Sequence, residues 1–147
     1  MTLSLTSDVW GPRGLTVLRV MTSLLFIAHG LVKLFGFPEG AQPGQMPLLS
    51  FLGLGALLEV VGGSLVAVGL FTRPAAFILS GEMAVGYFMF HAPKAFFPVV
   101  NGGDAAILFC FVFLYFACAG AGPYSLDYKR GSSPQVMTGR GVSPDTF

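Results

Sequence analysis

The side chains that could do chemistry in this sequence are few, and most of them interrupt long apolar stretches. They are His29, Lys33, Glu59, Glu82, His91, Asn101 and Asp104. Glu59 is the most informative, because it stands in the middle of the apolar run at residues 48–71. An ionised side chain at the centre of a membrane-spanning helix costs about 2.5–3.5 kcal/mol on insertion scales, so it needs partners. We therefore predict that these seven residues contribute to a polar ligand site inside a bundle of helices.

The composition is typical of an integral membrane protein. Of the 147 residues, 54% are hydrophobic and 10% are charged, whereas a soluble domain has about 25% charged residues. The length allows one bundle of a few spanning helices. The net charge is +1 and the sequence has no basic run, so nucleic acid is not an expected partner. The lipid bilayer is the expected surrounding.

Four apolar stretches predict four transmembrane helices, at about residues 15–35, 48–71, 75–91 and 104–119. The loops between them, at residues 36–47 and 92–103, are rich in proline and glycine. The predicted fold class is therefore all-α, a polytopic four-helix bundle covering residues 15–121. A polar segment at residues 1–14 precedes the bundle, and a polar flexible tail at residues 122–147 follows it.

The distribution of basic residues predicts the orientation in the membrane. Six basic residues fall on the side of the two termini: Arg13, Arg19, Arg73, Lys129, Arg130 and Arg140. Only Lys33 and Lys94 fall on the side of the two long loops. Because cytoplasmic segments carry the excess of Lys and Arg, both termini are predicted to be cytoplasmic.

Helical spacing predicts which face of each span turns inward. Glu59 shares a stripe with Gly55, Gly62 and Gly69, and small residues on one stripe mark close helix contacts in membranes. We therefore expect Glu59 to face the interior. Each of the other spans also has one stripe with polar members, predicted to face inward: Arg19, Thr22, Phe26, His29 and Lys33; Ala75, Leu79, Glu82 and Gly86; Asp104, Leu108, Phe111, Tyr115 and Cys118.

Depth along the helices suggests two levels of polar residues. At about 1.5 Å per residue, Glu59 and Glu82 lie near the middle of their spans. Five others gather at the outer boundary: Lys33, His91, Lys94, Asn101 and Asp104. His29 lies between the two levels and is the predicted bridge.

Structural and functional interpretations of these residues both stay open. Glu59 and Glu82 either lock helices together or form part of a functional site. His29 either packs at a helix contact, or gates protons or binds a quinone carbonyl. Asn101 and Asp104 also suit the start of a helix. A metal site is not predicted, because no His-x-x-His or Glu-x-x-His spacing occurs.

The order of several short motifs resembles the DoxX family of small bacterial membrane proteins. The motifs are His29-Gly30-x-x-Lys33, Glu59-x-x-Gly62-Gly63, Gly69-Leu70-Phe71-Thr72-Arg73, His91, Asn101-Gly102-Gly103-Asp104 and Gly120-x-Gly122-Pro123-Tyr124-Ser125-Leu126-Asp127. Together they cover about residues 15–127. The family often has Glu where this chain has Asp104, which keeps the charge and shortens its reach.

The resemblance implies a four-helix, multi-pass protein of the bacterial inner membrane with a redox theme. The expected function is that of an accessory, non-catalytic membrane subunit of a quinone- or thiol-linked redox system. Other membrane or redox subunits are the expected partners, and a quinone or a bound lipid is the expected ligand. The sequence has no catalytic motif, so the chain is at most part of a quinone-linked oxidoreductase. The alternatives are a structural or assembly subunit of a larger complex, and a small-solute or proton pathway along Arg19, His29, Glu59 and Glu82.

Overall fold

The computed structural model describes residues 4–131, with side chains from Trp10 onward. The rest of the predicted tail, residues 132–147, lies outside the described residues. Within the described range every regular element is a helix, which confirms the all-α class. The elements are α1 (Ser4–Phe35), α2 (Phe51–Val68), α3 (Thr72–Gly86) with a π-helical turn (Tyr87–His91) extending it, α4 (Pro98–Asn101), α5 (Asp104–Ala119) and α6 (Leu126–Lys129).

Helix α1 starts well before the predicted boundary at residue 15 and continues through Pro12. A proline inside a helix removes one backbone hydrogen bond, but its φ is already close to the helical value. The hydroxyl of Thr16 donates to the Pro12 carbonyl oxygen at 2.9 Å, which adds a side-chain hydrogen bond within this part of the helix. From Ser4 onward, the polar segment predicted at residues 1–14 is the beginning of α1.

A tight turn at residues 69–71 joins α2 to α3, just before the gap at residues 72–74 that separates the two predicted spans. Helix α2 begins after Ser50, whose hydroxyl accepts from the Gly53 amide, and it ends at Gly69 in the left-handed conformation (φ 71°). Phe71 is also left-handed (φ 48°), which is unusual for a bulky residue. It occupies the N-cap position of α3 but has no side-chain hydrogen bond to the first turn. The start of α3 therefore needs a cap from another part of the chain.

Glycines make the closest helix contacts. Helix α1 packs mainly against α2, and α3 mainly against α5, while α2 also contacts α3. A methyl group added at Gly30 would lie 2.9 Å from the Ala56 carbonyl oxygen, and one added at Gly62 would lie 2.7 Å from the Leu79 side chain. Only glycine allows these separations. The prediction that the glycine stripe of α2 marks close packing is confirmed.

An apolar core joins the four long helices. Phe26 of α1, Val66 of α2, Leu79 of α3 and Phe113 of α5 are each at most 1% exposed. The rings of Phe26 and Phe113 meet edge to face with their centroids 4.7 Å apart, an arrangement that aromatic pairs favour. Because α1 and α5 otherwise contact each other little, these two rings form an important part of the link between the α1–α2 pair and α5.

The predicted inward face of α5 is wrong. All five residues of that stripe are exposed: Asp104, Leu108, Phe111, Tyr115 and Cys118. Phe113 and Phe116 are fully buried instead. Helix α5 is apolar on nearly every side, so its few polar residues carry little information about which face packs. Aromatic packing against α3, rather than polarity, decides which face turns inward.

Two described stretches are long and apolar enough to cross a membrane, Trp10–Phe35 and Phe51–Val68. Only 33% of the apolar part of the first and 28% of the second are buried. Large apolar side chains face outward both there and on α3: Leu25 of α1 and Phe77 of α3 have 58% and 67% of their surfaces exposed. The core helix of a soluble protein would bury such side chains, whereas lipid accepts them.

Candidate functional site

An ion pair between α1 and α2 forms the centre of the candidate site. The Lys33 ammonium group donates a hydrogen bond to Glu59 Oε1. Glu59 is 1% exposed, and the Lys33 side chain is 18% exposed. Glu59 reaches this position because the neighbouring glycines of α2 let α1 and α3 approach closely. The prediction that Glu59 faces the interior is confirmed.

Glu82 of α3 brings a second carboxyl group beside this pair. A methyl group at Gly55, one helical turn before Glu59, would lie 3.0 Å from Glu82 Oε1. Two buried oxygens, Glu59 Oε2 and Glu82 Oε2, have no hydrogen-bond partner among the described residues. Lys33, Glu59 and Glu82, which we call the charged triad, thus place two carboxyl groups beside one ammonium group.

His29 lies outside the charged triad. It is exposed, and its ring meets the edge of the Phe109 ring of α5 with the centroids 5.8 Å apart. Among the described residues, no hydrogen bond joins His29 to Glu59 or Glu82. The predicted bridge between two levels of polar residues is therefore not formed by direct contact.

His91 and Asn101 come together in a second polar group, next to the π-helical turn. His91 Nδ1 lies 3.1 Å from the Asn101 carbonyl oxygen, and the rings of His91 and Tyr87 stack with their centroids 6.4 Å apart. The Asn101 amide nitrogen donates to the Ala95 carbonyl oxygen at 2.9 Å, and its amide oxygen accepts from the Gly103 amide at 2.8 Å. Asn101 is only 4% exposed, so it closes the loop at residues 92–103.

Asp104 does not join either group. It is exposed in the first turn of α5, where a carboxylate interacts favourably with the helix dipole. The residue before α5 is Gly103, which has no side chain to cap the helix. The interpretation of Asp104 as a helix-start residue fits this position better than a ligand role does.

A polar cluster that sequence reasoning missed lies at the opposite end of the bundle. Residues 120–131, which we call the strap, fold over the turn between α2 and α3. The buried Arg19 side chain of α1 donates to the carbonyl oxygens of Ala121 (2.6 Å) and Tyr124 (2.7 Å) in the strap. Residues 122–131, which the sequence assigns to a flexible tail, are thus held by hydrogen bonds.

Asp127 of the strap supplies the cap that α3 lacks. Its two carboxylate oxygens accept hydrogen bonds from the backbone amides of Phe71 (2.8 Å) and Thr72 (2.9 Å). The Asp127 amide donates in turn to the Gly69 carbonyl oxygen at 2.8 Å. Two features pointed to this contact: Arg19 is an unmatched charge in an apolar span, and Phe71 cannot cap a helix.

The apolar core separates the two polar ends of the bundle. Phe26, Val66 and Leu79 lie between the Arg19 cluster and the charged triad along their helices, and all are buried. Buried Thr22, Ser23 and Ser80 lie at a similar depth, but no hydrogen bond among the described residues links them into a chain from Arg19 to Glu59. The described residues also contain no group of three or more His, Cys, Asp or Glu side chains that could hold a metal ion.

Comparison with known proteins identifies the family. The model of the DoxX family matches residues 14–92, more than half of the chain. The chain belongs to the DoxX family. It is similar to an uncharacterized protein of Haemophilus influenzae, 43% identical over 129 residues that cover 83% of this chain and 94% of that protein. It is also similar to an uncharacterized membrane protein of Mycobacterium tuberculosis, 27% identical over 137 residues that cover 81% of this chain and 82% of that protein. No solved structure matches the chain.

This DoxX-family chain is a membrane protein, and the lipid bilayer is its surrounding. The part that matches the family model includes all three members of the charged triad. It ends before Asn101, Asp104 and the strap. The charged triad therefore lies within the family region, whereas the Asp127 cap comes from outside it.

Proposed function

We propose that this protein crosses the bacterial inner membrane four times, through α1, α2, α3 with its π-helical turn, and α5. Helix α3 and the turn together cover Thr72–His91, about 30 Å at 1.5 Å per residue, which equals the hydrocarbon thickness. Both termini lie in the cytoplasm. Arg13 and Lys129, both exposed, lie at the end of the bundle that carries the strap.

Cysteine labelling tests this orientation in a variant whose Cys110 and Cys118 are replaced by Ala. Glu39→Cys at the loop end is expected to react with a membrane-impermeant maleimide in intact spheroplasts. Lys129→Cys on the strap is expected to react only after lysis. Labelling of Lys129→Cys in intact spheroplasts would refute the cytoplasmic position of the C-terminal end.

Within that membrane, the protein serves as an accessory subunit of a quinone-linked redox system, and the charged triad is its ligand site. The observation that carries this proposal is the pair of buried carboxylate oxygens, on Glu59 and Glu82, without described partners. Quinone reduction consumes protons and quinol oxidation releases them. An ammonium group can donate a hydrogen bond to a quinone oxygen, and a carboxylate can accept one from a quinol hydroxyl or take its proton. The redox theme itself comes from the family resemblance.

Glu82 favours a ligand site over a simple structural brace. The Lys33–Glu59 pair by itself links α1 to α2 and needs no third charge. Glu82 adds a second carboxyl group to a half-buried, apolar environment, where an unpaired charge is costly. A fold built only for stability would gain from an uncharged residue at this position. Between the two alternative functions, the apolar core also counts against a continuous proton or solute pathway.

The Glu82→Gln variant tests the ligand site, because glutamine keeps the shape and removes the acid. Wild type and variant are reconstituted in nanodiscs, and binding of decylubiquinone is measured. Glu82→Gln is expected to weaken binding several-fold, whereas Glu39→Gln, an exposed loop control, leaves it unchanged. Equal binding by wild type and Glu82→Gln would contradict a ligand site at the charged triad.

A second measurement separates the accessory role from a purely structural one. Native mass spectrometry from membranes is expected to find the protein with another membrane or redox subunit and with a quinone or lipid bound. The His29→Ala variant then tests the exposed histidine in quinone-linked electron transfer. A complex whose composition and electron transfer are the same in wild type, Glu82→Gln and His29→Ala would favour the structural alternative.

A further inference from the structure

The loop at residues 92–103 turns its large apolar side chains outward and the Asn101 amide inward. Phe96, Phe97, Val99 and Val100 are 88%, 63%, 79% and 70% exposed. Asn101, the polar residue that follows them, is 4% exposed and bonds within the loop. A loop in water has the reverse arrangement, because water solvates polar groups and exposed apolar surface is costly.

The backbone of this loop satisfies six of its ten hydrogen-bond donors internally. Pro93 and Pro98 have no amide hydrogen to satisfy. Six of the other ten amides donate to carbonyl oxygens within residues 87–103: Ala92 to Tyr87, Lys94 to His91, Val100 and Asn101 to Phe97, and Gly102 and Gly103 to Pro98. The amides of Ala95, Phe96, Phe97 and Val99 have no such partner among the described residues. Irregular backbone is tolerated at membrane depth only where its polar groups find partners within the protein. This loop meets that requirement only in part, so its backbone suits the headgroup boundary, where water and lipid headgroups can accept from the remaining amides.

The lengths of the helices indicate what covers the exposed side chains. Helix α5 has 16 residues and α2 has 18, about 24 Å and 27 Å, whereas the hydrocarbon core is about 30 Å thick. The missing thickness lies at the loop end, because the other end carries the polar strap. There, both short helices are preceded by exposed apolar residues, Leu48 and Leu49 before α2 and the loop residues before α5.

We propose that the backbone of residues 95–100 lies at the headgroup boundary of the outer leaflet, with the side chains of Phe96, Phe97, Val99 and Val100 among the upper lipid acyl chains. The loop thereby completes the hydrophobic thickness that α5 leaves short. The apolar surface of the loop lies next to the apolar surface of the lipid-facing helices. At this end of the bundle, Phe51 of α2 and Phe90 of the π-helical turn contact each other, with ring centroids 6.0 Å apart. Exposed Lys94 sits beside the segment, where its ammonium group reaches lipid phosphates. This inference rests on the four-span arrangement proposed above.

Single-tryptophan fluorescence tests the position of the loop. Trp10 is the only tryptophan of the chain, so Trp10→Phe provides a background without tryptophan. Into it are placed, one at a time, Phe96→Trp and Val100→Trp in the loop, Phe77→Trp on the outward face of α3, and Glu39→Trp in the other loop. Each protein is reconstituted in phosphatidylcholine vesicles and quenched either by brominated acyl chains or by aqueous iodide.

The proposal expects Phe96→Trp and Val100→Trp to behave like Phe77→Trp. Their emission is blue-shifted from that of Glu39→Trp, brominated lipid quenches it strongly, and iodide quenches it several-fold less. Iodide quenching equal to that of Glu39→Trp, with Phe77→Trp still quenched by lipid, would overturn the loop position alone. Protection from both quenchers would also overturn it, because a second copy of the chain would then cover the loop. Failure of Phe77→Trp to respond to lipid would instead refute the four-span arrangement.

Discussion

The Lys33–Glu59 pair predicts an asymmetric response to mutation. Glu59 is almost fully buried, whereas part of the Lys33 side chain is exposed, two residues before the end of α1. If Lys33→Met removes the ammonium group, Glu59 has no route to water, and Glu82 stays beside it. If Glu59→Leu removes the carboxylate, the long Lys33 stem can carry its charge toward the end of the helix. The two single substitutions should therefore differ in cost although they break the same ion pair.

The expected magnitudes follow from burial. Removal of one partner from a buried pair costs about 3–5 kcal/mol, which is the estimate for Lys33→Met. Glu59→Leu loses one hydrogen bond to a charged group and leaves a cation that can relocate, so its cost is about 1.5–3 kcal/mol. The double variant Lys33→Met/Glu59→Leu removes both charges and should be at least as stable as wild type, because apolar replacement of a buried pair is often neutral or stabilising.

Reversible unfolding in mixed micelles with sodium dodecyl sulfate, followed by circular dichroism, measures these free energies. Lys94→Met is the matched control, because Lys94 is exposed and its loss should change the free energy of unfolding by less than about 0.5 kcal/mol. Lys33→Met is expected to be the least stable of the four variants. A double variant no more stable than Lys33→Met, or a Glu59→Leu variant less stable than Lys33→Met, would refute the burial reasoning.

Three further predictions concern the rest of the fold. Asp127→Ala removes two charge-assisted hydrogen bonds from the start of α3 and should lower the free energy of unfolding by about 2 kcal/mol or more. The control Lys129→Ala, at an exposed residue, should leave this free energy unchanged. Faster hydrogen exchange at the start of α3 in Asp127→Ala would identify the lost cap as the cause. Gly30→Ala should cost about 1–3 kcal/mol of stability through overpacking against α2. Gly81→Ala, with no atom within 4 Å of the new methyl group, should stabilise the protein by about 0.5–1 kcal/mol. Equal unfolding midpoints for these two variants would contradict the glycine contacts. Asn101→Ala should increase proteolysis within residues 92–103, and unchanged cleavage would argue against its role in closing that loop.

The residues that sequence reasoning placed well are those that follow a helical period. Glu59 was assigned to the interior because glycines recur with it every three or four residues, and such spacing directly reports a packed face. Glu82 followed from the same rule and from its depth. Periodicity failed for α5, where almost every position is apolar and no face stands out.

Contacts between distant segments could not be predicted from spacing. Arg19 and Asp127 are separated by more than one hundred residues, and the strap that joins their surroundings has no helical repeat. His29 shares a stripe with Lys33, but it is exposed because α1 and α5 make little contact on that side of the bundle. The direction of one side chain at the edge of an interface depends on the neighbouring helix, which the sequence of α1 does not specify.

The cap on α3 also has a consequence for biosynthesis. A ribosome completes α3 long before it reaches Asp127, 55 residues after Thr72. Throughout that interval the first amides of α3 have no carboxylate to accept their hydrogen bonds, and Arg19 has not yet received the strap carbonyl groups that it later binds. The growing chain therefore holds an unfinished turn between α2 and α3 until translation has passed the last membrane helix. Completion of the fold is thereby tied to synthesis of nearly the whole described chain. A chain that ends before Asp127 lacks the cap on α3 and the carbonyl groups that bind Arg19.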